Sequence, residues 1–258
     1  MAAQTSIEWT DATWNPVTGC TKVGLGCKNC YAETLAERWR GIPGHPYEQG
    51  FDLKLWPERI GLPLAWKKPK RIFVNSMSDL FHEKVPYRFI DRVFTTMRRC
   101  TWHQFQILTK RAERMANYIE RRSDQWGELA TTNPHICLGT SIETQDYIHR
   151  AEAIVNLPSS VRFLSCEPLL GPLDLSGLLG PNLINWVIVG GESGPKARIM
   201  DPAWVESIRD QCISAKAPFF FKQWGGTNKG VAGRLLNNRT WDQYPVDEPK
   251  ELQVQLSR

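Results

Sequence analysis

The amino-acid sequence predicts an α/β fold, a full or partial (β/α) barrel with a short C-terminal hairpin extension. Three observations carry this. Runs rich in β-branched and aromatic residues recur at 71–79 (RIFVNSMSD), 103–110 (HQFQILTK), 136–143 (ICLGTSIE), 161–168 (VRFLSCEP), 186–193 (WVIVGGES) and 218–225 (PFFFKQWG). Their starts lie 25 to 33 residues apart, room for a strand, a helix and two loops. The runs are nearly continuous in apolar character, as expected of parallel strands covered on both faces. A flavodoxin-like open sheet is the alternative arrangement.

The elements follow in chain order. A further strand is expected around ATWNPVTG (12–19). After Val85-Pro86, Phe89, Ile90, Val93, Phe94 and Met97 fall at helical spacing. ETQDYIHRAEAIVNLP (143–158) reads as a helix ending at its proline. DPAWVESIRDQCISAKAP (201–218) begins with Asp201 as N-cap and Pro202 in the first helical position. GRLLNNRTWDQYP (233–245) reads as a hairpin with Asn237-Asn238 at its turn. The chain thus divides into a barrel, 1–225, and a C-terminal hairpin and tail, 226–258, polar after Pro245.

Composition narrows the class. Of 258 residues, 41% are hydrophobic and 23% charged, as in a globular rather than a disordered chain. No apolar run reaches membrane-spanning length. The N-terminus lacks a basic segment followed by an apolar one, so a cytoplasmic location is expected. The net charge of +5 permits a polyanionic partner without requiring one.

The seven cysteines are an odd number in a chain of cytosolic appearance, which argues against a disulfide framework. Cys100, Cys137, Cys166 and Cys212 sit singly in apolar runs and read as small buried hydrophobes. Cys20, Cys27 and Cys30 are clustered in TGCTKVGLGCKNCYAE, where Gly24 and Gly26 let the loop fold back on itself. Three thiolates on one loop can converge on one inorganic centre. A [4Fe–4S] cluster held by three leaves one iron open, whereas structural zinc requires a fourth ligand, for which His45 is the candidate.

The strand ends carry the remaining chemistry. In a barrel, the carboxyl ends of the strands line the active site. Ser76, Ser78 and Asp79 end one run, Lys110 and Arg111 the next, and Thr140 and Glu143 the third. Glu167, Glu192 and Lys222 end the last three. Charges pressed against buried strands are costly unless paired or ligand-bound, so these positions point to a pocket.

The run WNPVTGCTKVGLGCKNCYA resembles the cluster loop of radical S-adenosylmethionine (SAM) enzymes, in the branch of spore photoproduct lyase. Taken with NSMSD, LTKR, SIE, SCEP, GGESG, FKQWG and GRLLNNRTWDQYP, the chain resembles, over residues 6 to 246, a phage- and prophage-associated radical-SAM family linked to viral thymidine hypermodification. The resemblance implies a barrel of the radical SAM type. It implies that Cys20, Cys27 and Cys30 hold a [4Fe–4S] cluster whose open iron binds SAM. It places SAM near Tyr31, Ser76, Ser78, Asp79, Thr140 and Glu143, and catalysis at Glu167, Glu192 and Lys222.

The chain departs from the superfamily pattern in three ways. Six residues, not three, separate the first two cysteines; Asn29 replaces the usual aromatic, leaving Tyr31 for the adenine; and Gly190-Gly191-Glu192 follows a late strand. The implied partners are DNA or a modified nucleotide, and an external electron donor such as flavodoxin or ferredoxin. A phage-encoded chain would act in the host cytoplasm, as an isomerase or modifying enzyme. A small metabolite or peptide is the alternative substrate. Basic runs at 67–71, 98–99, 110–114 and 121–122 are candidate phosphate contacts.

Overall fold

The computed structural model describes residues 3–127 and 129–245. The elements in order are β1 (Ala3–Gln4), β2 (Ala12–Trp14), β3 (Val17–Thr18), α1 (Tyr31–Glu37), β4 (Lys54–Leu55), β5 (Arg71–Val74), α2 (Tyr87–Arg99), β6 (Gln104–Thr109), α3 (Ala112–Trp126), α4 (Leu129–Thr132), β7 (Ile136–Ser141), α5 (His149–Ile154), β8 (Arg162–Cys166), β9 (Trp186–Gly190), α6 (Pro202–Ala215), β10 (Phe219–Gln223) and α7 (Lys229–Ala232). The main sheet runs β1-β2-β5-β6-β7-β8-β9-β10, parallel throughout except for β1. β3 and β4 form a separate antiparallel pair.

The α/β barrel reading is borne out, in its partial form. One ring shows the curl. Trp9 packs against Phe73 of β5 at 4.6 Å, Phe163 of β8 at 6.4 Å and Trp186 of β9 at 6.3 Å. In a flat sheet β5 and β8 would stand about 14 Å apart, three strand spacings. The barrel is not closed, because β1 and β10 end the sheet without pairing to each other.

Alternation along the strands divides the core in two. Ile72, Val74, Phe105, Ile107, Leu138, Leu164, Val187, Val189, Phe219 and Phe221 share the larger core with residues of α2, α3 and α6. Phe73, Cys137, Phe163, Ile188 and Phe220 point inward and, with Trp9 and Trp186, fill the lower barrel. Gly139 belongs to this inner set, and the Phe163 ring occupies the space that a side chain there would need.

The helices differ in how readable they were. α2 spans the expected residues, its spaced apolar residues buried. Asp201 caps α6 by accepting from Ala203 N at 2.9 Å. α3 buries a stripe of Ala112, Met115, Tyr118 and Ile119. The helix expected over 143–158 contracts to a 3-10 turn, Gln145–Tyr147, followed by the six-residue α5. Among the described residues no helix joins β8 to β9. That segment carries Gly171, Pro172, Gly177, Gly180 and Pro181, and instead buries Leu173, Leu175 and Leu179.

After β10 the chain turns at Asn237 and Asn238, both left-handed, with Leu236 and Arg239 paired across the turn. It returns along β10, where Phe221 N donates to Trp241 O at 2.8 Å. Residues beyond 245, where the polar tail was expected, lie outside the described residues. No helix among the described residues is long and apolar enough to cross a membrane.

Candidate cluster and substrate site

The carboxyl ends of the strands open into a cavity of about 440 Å³. That volume falls within the range for small-molecule and cofactor sites. Its floor is apolar: Ile7, Trp9, Phe73 and Leu108. Its walls are the polar strand ends, and its mouth is the cysteine loop.

All three clustered cysteines line this cavity. Cys20 follows β3, where Gly19 turns with φ +78° and is pinned by its N–H to Met77 O. Cys27 closes the 3-10 turn Leu25–Cys27, and Cys30 is the N-cap of α1. Gly26 is needed for close approach rather than for an unusual dihedral, because a side chain there would collide with Glu143. Burial, then Asp79, pushes the Cys20 thiol up to about 11, and burial raises Cys30 as well. Metal ligation would replace their protons, since the ligating form is the thiolate.

Donor number and donor type fit a three-thiolate cluster, and all three thiols line one cavity. Among the described residues, no three His, Cys, Asp or Glu side chains are grouped closely enough to hold a single metal ion. His45 does not complete a Cys3His set. It lies outside the cavity lining, its ring stacked on Trp39 at 4.1 Å and its Nδ1 accepting from Tyr47 N.

Each end of the loop is held by a charge pair, buried at the Cys20 end and partly exposed at the other. At Cys20, Arg111 donates to Asp79 at 3.1 Å, to Glu83 at 2.8 Å, to Thr21 Oγ1 at 3.1 Å and to Cys20 Sγ at 3.6 Å. Thr21 Oγ1 also meets His82 Nε2 at 2.9 Å. At the Cys27–Cys30 end, Arg198 donates to Leu25 O at 3.0 Å and to both oxygens of Glu192, and Asn29 donates to Glu192 Oε2 at 2.9 Å.

Glu192 also accepts from Arg198 N, and these contacts hold its carboxyl below the usual range despite burial. Four donors thus tie Glu192 to the loop, while the residue also lines the cavity. His82 and Arg198 carried no signal in sequence, since nothing in their spacing ties them to a loop more than fifty residues away.

Among the residues expected to contact SAM, Tyr31 sits at the mouth and donates to Ser76 O at 2.5 Å. Ser76 Oγ exchanges hydrogen bonds with Asn15, and Ser78 Oγ donates to Val17 O, so both face the cavity with their hydroxyls engaged. Asp79 lines the cavity while accepting from Thr109 Oγ1, Lys110 N and Arg111.

Thr140 requires correction. Strand periodicity turns Cys137, Gly139 and Ser141 inward and Thr140 outward, where its hydroxyl donates to Thr109 O. Glu143 also does not line the cavity. It is fully buried beneath the loop, paired with Lys110 and Arg150.

Glu167 and Lys222 face each other in the cavity wall. Lys222 Nζ donates to Glu167 Oε1 at 2.7 Å, and Ser165 Oγ donates to Oε2 at 3.0 Å. This leaves a half-buried acid–base pair with spare N–H donors at Lys222.

The basic runs mostly lie elsewhere. Lys67, Lys68, Lys70 and Arg71 precede β5 or begin it, at the opposite end of the sheet, and Arg71 stacks on Tyr244 at 4.0 Å. Arg98 and Arg99 end α2, and Arg121 and Arg122 lie in the second half of α3, on helices that run back toward that far end. Lys110 and Arg111 are at the cavity but internally paired, and Arg114 donates to Val85 O. The exposed cations on the cysteine loop are Lys22, paired with Glu33, and Lys28.

A family model described as "Protein of unknown function (DUF5131)" matches residues 4–245. No curated protein matches the chain. Among solved structures, a spore photoproduct lyase complexed with dinucleoside spore photoproduct is similar at 11% identity, with a TM-score of 0.45, covering 82% of this chain. The chain spans 63% of that lyase's length.

Proposed function

The chain belongs to this family of unknown function, and we propose that it is a radical SAM enzyme acting on a thymidine-derived base in DNA. One observation carries the reading: the three cysteines that resemble a radical SAM cluster loop line the same cavity as the polar strand ends. When bound, the [4Fe–4S] cluster supplies the electron that cleaves SAM to methionine and a 5′-deoxyadenosyl radical. Cys20, Cys27 and Cys30 would hold it.

The chain's own residues supply orientation and enclosure. Tyr31, Ser76, Ser78 and Asp79 present polar groups beside the loop where SAM would lie. The apolar floor of Trp9, Phe73 and Leu108 suits a planar base and excludes water from it. Lys222 Nζ and Glu167 hold a proton at the substrate side, available to a carbonyl or to a carbon centre.

A base inside a duplex cannot reach this cavity, so it must be extruded or presented single-stranded. Lys22 lines the cavity and Lys28 is exposed on the same loop, where the flanking phosphates would pass. Isomerisation or modification of a hypermodified phage thymidine is the reaction class, with a flavodoxin or ferredoxin as electron source.

The test is anaerobic reconstitution, then incubation with SAM, reductant and phage-type modified DNA. We expect 5′-deoxyadenosine and a changed nucleoside by mass analysis. Release of 5′-deoxyadenosine only with small metabolites or peptides would contradict the substrate assignment.

A further inference from the structure

The two ends of the cysteine loop are held differently, and only one of the holding groups touches sulfur. Arg111 follows β6, with its side chain 6% exposed. All five of its N–H groups are engaged. Nε donates to Glu83; Nη1 to Asp79 and Cys20 Sγ; and Nη2 to Thr21 O at 3.3 Å and Thr21 Oγ1. Arg198, at the other end, reaches Leu25 O and Glu192 and contacts no sulfur.

We propose that Arg111 is a positioning residue that fixes the Cys20 arm and raises the reduction potential of the centre that Cys20 ligates. This rests on the reading of the three cysteines as cluster ligands. Two physical effects act in one direction. A charge-assisted N–H donated to a ligating sulfur withdraws electron density from it. A buried cation beside the centre favours the state with one more electron, and low exposure weakens solvent screening of that charge. Asp79 and Glu83 hold the guanidinium in place and offset part of its charge. Removing Arg111 would leave the buried Asp79 beside Cys20 without its cation.

The experiment is an EPR-monitored redox titration of anaerobically reconstituted full-length protein, with iron counted in each sample. Arg111→Gln should retain iron and shift the potential to more negative values. Arg111→Lys, which keeps the charge but loses the fork, should fall between Gln and wild type. Arg198→Gln should leave the potential unmoved.

An iron-loaded Arg111→Gln with the wild-type potential overturns the proposal. If Arg111→Gln fails to load, Arg111→Lys decides: a potential below wild type supports the proposal, and an equal one overturns it. Wild-type protein that takes up no iron overturns the cluster reading itself, and this inference with it.

Discussion

The two ends of the barrel carry similar residue types and use them in opposite ways. At the amino ends of the strands, cations are spent on the protein itself. Arg162 donates to Leu183 O at 2.8 Å and Leu157 O at 2.7 Å, and Arg71 lies on Tyr244. His103 is walled in by Trp66, Trp102 and Phe105. At the carboxyl ends, the charges surround a cavity: Glu167 with Lys222, Asp79 with Arg111, and Glu192 with Arg198. A charged residue in this fold is therefore informative about function only once its end of the strand is known.

The largest effect that sharpens this contrast concerns the cysteines. Cys20→Ala, Cys27→Ala or Cys30→Ala should each abolish SAM cleavage and bleach the visible absorption of reconstituted protein. Cys137→Ser, in the lower barrel, should leave both intact; a Cys137 variant that lost its colour would break the comparison.

Next comes the acid–base pair. Glu167→Gln should lower product formation by about two to four orders of magnitude, the span of a lost general acid or base, with cluster absorption unchanged. Unaltered turnover would remove Glu167 from the chemistry.

Histidines at the amino end should contribute to stability against acid. Burial lowers the His103 and His135 pKa values below their ordinary 6.5. Both are therefore harder to protonate in the fold, and the unfolded chain takes up protons first as pH falls. Their contribution is fully present above about 6.5 and is lost on going below it. The thermal midpoint should drop from pH 7 to pH 5, and His135→Gln should flatten that slope. An equally steep slope in the variant would contradict this assignment.

The smallest effect is an expected absence. Lys67→Ser with Lys68→Ser should leave DNA retention across a salt series unchanged, whereas Lys28→Ser should reduce the log–log slope by about 0.9 for a duplex or 0.7 for a single strand. The reverse result would put DNA on the far end of the barrel.

Much of this contrast was legible in sequence, and the exceptions have physical reasons. The β-branched runs placed β5 to β10, because buried parallel strands need no alternation to be recognised. That same continuity hid which residues face inward, so Thr140 could not be told from Ser141. Lys67 to Arg71 precede their strand, and topology puts them at the opposite end from Ser76 and Asp79. Glu192 was found as a buried charge, but its partner Arg198 lies on a loop without periodicity, so its holding role emerges only in three dimensions.

The central claim is that Cys20, Cys27 and Cys30 hold one iron–sulfur cluster at the mouth of this cavity. Iron and sulfide analysis of anaerobically reconstituted protein, read with its Mössbauer spectrum, tests it most directly. About four iron and four sulfide per chain are expected, as in one [4Fe–4S] cluster. Stoichiometric zinc in colourless protein after the same treatment would contradict it.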